Sequence, residues 1–227
     1  MIRTPSALPM ATLVLLSACR TTAPGLSPAE VYQRVADSAV IVRTKAGTTA
    51  SGTVISSGAG VAIVLTARHV VASAGPGNAI SIEAQDDAGV PREMRAQVVS
   101  VDPEHDLALL RAETDFEIPA LPLAEHEPGL YDELFVVAAP MGLAGVAAPA
   151  VLSAKEPRGA NLWAITSFVF FGSSGGAVAN ARAELVAVPV VIPTWKEWLV
   201  TQLALCVPLG TIREFLAASA DRSPRPL

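Results

Sequence analysis

The sequence predicts an all-β protein folded as one unit, and three observations predict it. Short runs rich in β-branched and other apolar residues recur along most of the chain, separated by Gly, Pro and Ser turns. The length of 227 residues suits one barrel-type β domain, since such domains commonly reach this size as a single unit. A hydrophobic fraction of 51% supplies a sizeable core, and no repeat of roughly 20 to 50 residues points to a solenoid or propeller.

The chain opens with Met1-Ile2-Arg3, a mostly apolar segment to Leu16, and then Leu16-Ser17-Ala18-Cys19. One positive charge, a short apolar core and small residues before a cut site make an export signal over residues 1–18, too short to span a bilayer permanently. Its ending resembles the lipobox of bacterial lipoproteins, which implies that Cys19 becomes the lipidated first residue of the mature chain. The second cysteine, Cys206, is then left without a partner inside the apolar run Leu203-Ala204-Leu205-Cys206-Val207. A disulfide framework is excluded, and core packing is the expected role.

A polar tether over 19–26 leads to Ser27-Pro28-Ala29-Glu30, which has the form of a capping box with Pro at the first helical position. The helix is expected to run to about residue 37, with Leu26 and Val31 spaced as a hydrophobic staple. Strands follow at 39–44, 52–57, 61–66, 78–84, 94–101 and 107–112, forming one barrel-like half. A second half is expected from 135–139, 146–153, 163–170, 184–192 and 200–207. Thr211-Ile212-Arg213-Glu214 is expected to cap a last helix with Ile212, Phe215 and Leu216 on one face. Residues 27–220 thus form the domain, and 221–227 a polar tail expected to be disordered.

Two stretches without charge, 134–154 and 159–181, are long enough to span a membrane as helices. Pro140, Gly142, Gly145 and Pro149 break the first and a Gly-Ser turn the second, so both read as paired buried strands. The net charge of −5 and the lack of any Lys/Arg cluster give no footprint for nucleic acid.

The chemistry is concentrated in three segments. Gly172-Ser173-Ser174-Gly175-Gly176 sets a serine among glycines between two apolar runs. Such a backbone can turn tightly and bring the amides of Gly172 and Ser174 to one point, where they could bind an oxyanion. Thr66-Ala67-Arg68-His69-Val70-Val71 delivers a histidine at a strand exit, and Asp106-Leu107-Ala108-Leu109-Leu110 sets an acid directly before a strand. A serine needs a base to become a nucleophile, and the base needs an acceptor to fix its tautomer. Asp102 competes with Asp106 for that last place, with Asp106 favoured by its position before the strand.

Gly172-x-Ser174-x-Gly176 also satisfies the nucleophile elbow of α/β-hydrolases, but that class needs a histidine after the serine. His69, His105 and His126 all precede Ser174. The order His, Asp, Ser remains. With these motifs the chain, over residues 27–216, resembles the trypsin-like serine peptidases, most closely their bacterial HtrA-type branch.

The resemblance implies two six-stranded β-barrels of the chymotrypsin type with His69 and Asp106 on the first and Ser174 on the second. It implies a serine endopeptidase of the cell envelope, lipid-anchored through Cys19 and facing the periplasm or exterior, with polypeptide substrates. A protease-fold module used only for binding is the alternative. Ser173 stands where digestive members carry the aspartate of their activation switch, so no such switch is expected, and no PDZ domain is expected after the barrels.

The resemblance further places the base of the specificity pocket about six residues before the nucleophile, at Phe168, with Val190 on the facing wall. Neither segment carries a carboxylate, so cleavage after Val, Ala or Leu is expected. His105 with Glu104, and His126 with Glu125 and Glu127, lack metal-ligand spacing and read as solvated loop charges. No metal and no cofactor is expected, and the sequence carries no sign of an oligomeric state.

Overall fold

The computed structural model describes residues 25–72 and 79–222. Residues 1–18, expected to form the export signal, Cys19 and residues 223–227 lie outside the described residues.

Helix α1 (Pro28–Asp37) starts with a complete capping box, in which the Ser27 hydroxyl accepts from the Glu30 amide and the Glu30 carboxylate accepts from the Ser27 amide. It buries Val31 and Val35 in the core, with Leu26 packed beside them. Strands β1 (Ala39–Thr44), β2 (Thr49–Gly58) and β3 (Val61–Ala67) follow, then a single helical turn, α2 (Arg68–Ala72). Strands β4 (Ile80–Gln85), β5 (Pro91–Asp102) and β6 (Leu107–Glu113) complete a closed barrel in the order β1-β2-β3-β6-β5-β4.

The second closed barrel, β10-β11-β14-β9-β8-β7, is built from β7 (Glu133–Ala138), β8 (Val146–Lys155), β9 (Trp163–Ser167), β10 (Ala177–Ala179), β11 (Leu185–Val191) and β14 (Leu203–Pro208). A two-stranded hairpin, β12 (Thr194–Trp195) with β13 (Trp198–Leu199), lies between β11 and β14. Helix α3 (Leu209–Arg222) ends the described chain. The expected all-β architecture of two six-stranded barrels is the observed one.

Closure follows from the pattern of side chains. Strands such as β6, with Leu107, Ala108, Leu109 and Leu110 all buried, sit between two neighbours and have no face left for water. Each fully buried Leu or Ile contributes about 1.5–3 kcal/mol relative to exposure. The segment between the barrels is tied to both: the Leu121 amide donates to the Val54 carbonyl, and the Ala124 amide to that of Leu185. The two uncharged stretches are the β7–β8 hairpin and the β9–β10 segment, and no helix among the described residues is long and apolar enough to cross a membrane.

Several local expectations need correction. β9 stops at Ser167 rather than residue 170, because the chain leaves β8 after the Ala150–Ser167 pair and the Val169 amide turns to the Thr201 carbonyl. The strand expected at 200–207 starts at Leu203, since Val200 and Leu203 close a turn. α3 begins at Leu209, directly after β14, so Thr211 is not its cap. Its hydroxyl instead accepts from the Asn161 side-chain amide. Ile212 and Phe215 are buried in the core with Leu216 beside them, as their spacing predicts.

Candidate active site

The site is built where the end of β3 meets the loop between β9 and β10. The β3–β6 ladder ends at the pair Ala67–Leu107, and the Arg68 amide adds one more bond to the Asp106 carbonyl at 2.9 Å. The chain then turns into α2. Its second residue, His69, sends its amide to Asp106 Oδ1 at 2.8 Å, while its ring Nδ1 lies 2.6 Å from Asp106 Oδ2.

Asp106 has φ of 58°, a left-handed conformation that Asp tolerates better than most residues. Its carboxylate is therefore occupied on both oxygens by one residue, which fixes the ring and the tautomer together. With Nδ1–H donating, Nε2 carries the lone pair and can take a proton. The His69 side chain is 48% exposed, so that nitrogen is reachable.

In the serine loop, every carbonyl from Phe171 to Ser174 is held. The Phe171 carbonyl accepts from the Met141 amide at 2.8 Å and the Ser173 carbonyl from the Gly176 amide at 3.1 Å. The Gly172 carbonyl accepts from Ser51 Oγ at 2.6 Å, and the Ser174 carbonyl from the Ser51 amide at 3.0 Å. In a trans peptide the N–H points opposite to its C=O. Holding the Phe171 and Ser173 carbonyls thus turns the N–H groups of Gly172 and Ser174 the other way. Neither donates to any partner among the described residues.

Two glycines make this possible. Gly172 has φ of 96°, and a Cβ there would lie 2.8 Å from the Ala139 carbonyl oxygen and 2.9 Å from the Met141 nitrogen. Gly175 has φ of 83°, and its Cβ would run into the Ser51 carbonyl and the Thr66 hydroxyl, and lie 2.9 Å from the Ala67 nitrogen. That close approach seats the residue after Ser174 on the strand end two residues before His69. Ser174 itself is half-buried, and its hydroxyl has no hydrogen-bond partner among the described residues.

The remaining candidates fall elsewhere. Asp102 pairs with His105, Oδ2 to Nδ1 at 2.8 Å, and not with His69. Phe168 is 59% exposed and so does not form the floor of an enclosed pocket. Pairing of residue 169 with Thr201 turns Val169 inward, to 1% exposure, and leaves Phe168 outside. Val190 is buried on β11, directly after the Pro189 carbonyl that accepts from the Gly175 amide at 2.9 Å. Cys206 is a free thiol in the core of the second barrel, where burial pushes its pKa up.

Sequence reasoning missed Ser51 and Met141. For Ser51 the available signal was the small pair Ser51-Gly52 directly before Thr53-Val54-Ile55, since small residues within a strand leave room for a neighbouring group to come close. A Cβ on Gly52 would meet Val64 Cγ1 at 2.6 Å.

Two closed barrels with a His–Asp pair on one and a glycine-flanked serine on the other define a class, and the chain belongs to it: the trypsin-like peptidase domain family, whose family model matches residues 50–188. Among its relatives, serine protease HTRA1A of Danio rerio is 25% identical over 89% of this chain and 40% of its own length. The periplasmic pH-dependent serine endoprotease DegQ of Escherichia coli K12 is 30% identical over 63% of this chain and 31% of its own. The chain therefore spans well under half the length of these relatives. A crystal structure of Rv3671c from M. tuberculosis H37Rv, in an inactive mutant form, shares the fold with a TM-score of 0.68 at 22% identity, covering 89% of this chain and 99% of that one.

Proposed function

We propose that the chain is a serine endopeptidase in which Ser174 is the nucleophile, His69 the base and Asp106 the residue that orients the base. The observation that carries this reading is the His69 ring clamped on Asp106 while the Gly172 and Ser174 amides stay unengaged on the adjoining loop. Ser174 Oγ attacks the scissile carbonyl as His69 Nε2 takes its proton. The oxyanion is received by the two amides. His69 then gives the proton to the leaving amine, and water, deprotonated by the same nitrogen, releases the acyl group.

The substrates are proposed to be polypeptides outside the cytoplasm. The Escherichia coli relative is named as periplasmic, and Leu16-Ser17-Ala18-Cys19 supports export and lipid attachment at Cys19. More than one acyl chain, as lipoprotein cysteines carry, gives stable anchoring. Val190, next to the Pro189 carbonyl that holds the serine loop, is apolar, and an unpaired Lys or Arg against it would cost several kcal/mol, on the order of a buried charge without partner. Cleavage is therefore proposed after Val, Ala or Leu.

Casein or peptide hydrolysis by Ser174→Ala tests the reading. The expected loss is roughly 10⁴-fold or more, and retained hydrolysis by the folded variant contradicts it. Cys19→Ala is expected to move the protein from membranes to a soluble fraction; unchanged partitioning contradicts the anchor.

A further inference from the structure

We infer that Ser51 is a positioning residue of the peptidase site, one that locks the Ser174 loop of the second barrel in register with the His69 strand of the first. The inference rests on the reading of Ser174 as nucleophile. Ser51 is 1% exposed, so it cannot touch substrate and must act through its neighbours.

Its position in β2 explains its reach. On one side Ser51 is paired with Ile41 of β1. On the other, the β2–β3 ladder stops at Thr53–Leu65, so the place a strand would fill beside Ser51 is left open. The serine loop fills it. The Ser51 amide donates to the Ser174 carbonyl at 3.0 Å, and the Ser51 carbonyl accepts from Thr66 Oγ1 at 2.7 Å, three residues before His69.

The hydroxyl adds what a backbone cannot. Oγ donates to the Gly172 carbonyl at 2.6 Å and accepts from the Ala139 amide at 2.7 Å. A hydroxyl is the smallest side-chain group able to satisfy a donor and an acceptor at one atom. Alanine there would leave a buried amide without a partner.

The consequence falls on the oxyanion donors. Gly172 has no Cβ to restrict it, so the peptides on either side could flip unless held from outside. The preceding peptide is held by Met141 through the Phe171 carbonyl, and the following one by Ser51 through the Gly172 carbonyl. With both fixed, the Gly172 N–H keeps its direction. Ser51 also fixes the Ser174 carbonyl, so one residue holds both ends of the two-donor segment. The histidine strand is the third object it grips.

The test compares steady-state peptide hydrolysis and binding of a peptide boronic acid, whose tetrahedral adduct occupies the oxyanion donors, in Ser51→Ala and the native protein. Thermal melting checks the fold. Ser51→Ala is expected to lose roughly 10- to 100-fold in kcat, up to the lower end of what losing one oxyanion donor costs. KM stays within about twofold, boronate affinity falls in parallel with kcat, and the pH midpoint of kcat/KM is unmoved because the His69–Asp106 pair is untouched.

A folded Ser51→Ala with native kcat and boronate affinity, or with its whole loss in KM, overturns the inference. If Ser51→Ala fails to fold, Thr66→Val carries the same test: a several-fold fall in kcat at constant KM supports it, and an unchanged kcat overturns it. Ser174→Ala is run beside them. Activity surviving in Ser174→Ala would overturn the nucleophile assignment itself, whereas an inactive Ser174→Ala with a fully active Ser51→Ala overturns only the role of Ser51.

Discussion

Asp102 and Asp106 stand four residues apart, and each holds a histidine ring by Nδ1, at 2.8 Å and 2.6 Å. The bonds are nearly alike; their settings are not. Asp102 binds His105, three residues along its own turn, and its other oxygen accepts from the Glu104 and His105 amides. It closes a local turn. Asp106 binds a residue 37 positions away, at the end of the neighbouring strand β3, and its backbone carbonyl accepts from the adjoining Arg68 amide. The His105 side chain is 23% exposed against 48% for His69, and the strand end that leads to His69 meets the serine loop at Ala67. A His–Asp pair is thus uninformative by itself, and what sets apart the pair we propose as functional is its long range, an exposed ring and a neighbouring serine loop.

The largest expected effect separates the pairs by activity. Asp106→Asn should lose roughly 10⁴-fold in kcat through the wrong tautomer, while Asp102→Asn should stay within about threefold, as expected of a residue outside the site. Measuring kcat for both, with melting temperatures as a check, sharpens the comparison. Comparable losses in the two variants would break it.

A smaller effect concerns acid stability at Asp102. Burial is the largest single influence on the Asp102 carboxyl and raises its pKa, but the His105 ring and the two amides together outweigh it and hold the group below its ordinary 3.8. A carboxyl depressed in the folded state stabilises fully above its unfolded pKa and loses that contribution as pH falls through the folded one. Asp102→Asn should therefore melt earlier than the native protein near pH 6, and the gap should close below about pH 3.8. Melting curves across that range check it, and a gap that widens in acid would contradict the sign.

Much of this was legible in the sequence, for a physical reason. The barrel strands are runs such as Val61-Ala62-Ile63-Val64-Leu65, whose apolar character does not depend on what lies opposite, and the Gly and Pro breaks between them act locally. β10 was not legible, because three residues directly after a glycine loop carry no period of their own. Ser51 was hidden for a different reason: its partners Ala139 and Gly172 lie 88 and 121 residues away, and a hydrogen bond across two barrels leaves no local pattern. For Phe168, counting back from Ser174 fixes a position in the chain but not the face it presents. Pairing of residue 169 with Thr201 decides the face.

The central claim is that Ser174 is the activated nucleophile, and covalent labelling with a fluorophosphonate tests it most directly. Peptide mapping by mass spectrometry should find one adduct, on Ser174, in the native protein, with labelling strongly slowed in His69→Ala and absent in Ser174→Ala. An adduct on another residue, or equal labelling of native protein and Ser174→Ala, would contradict the account.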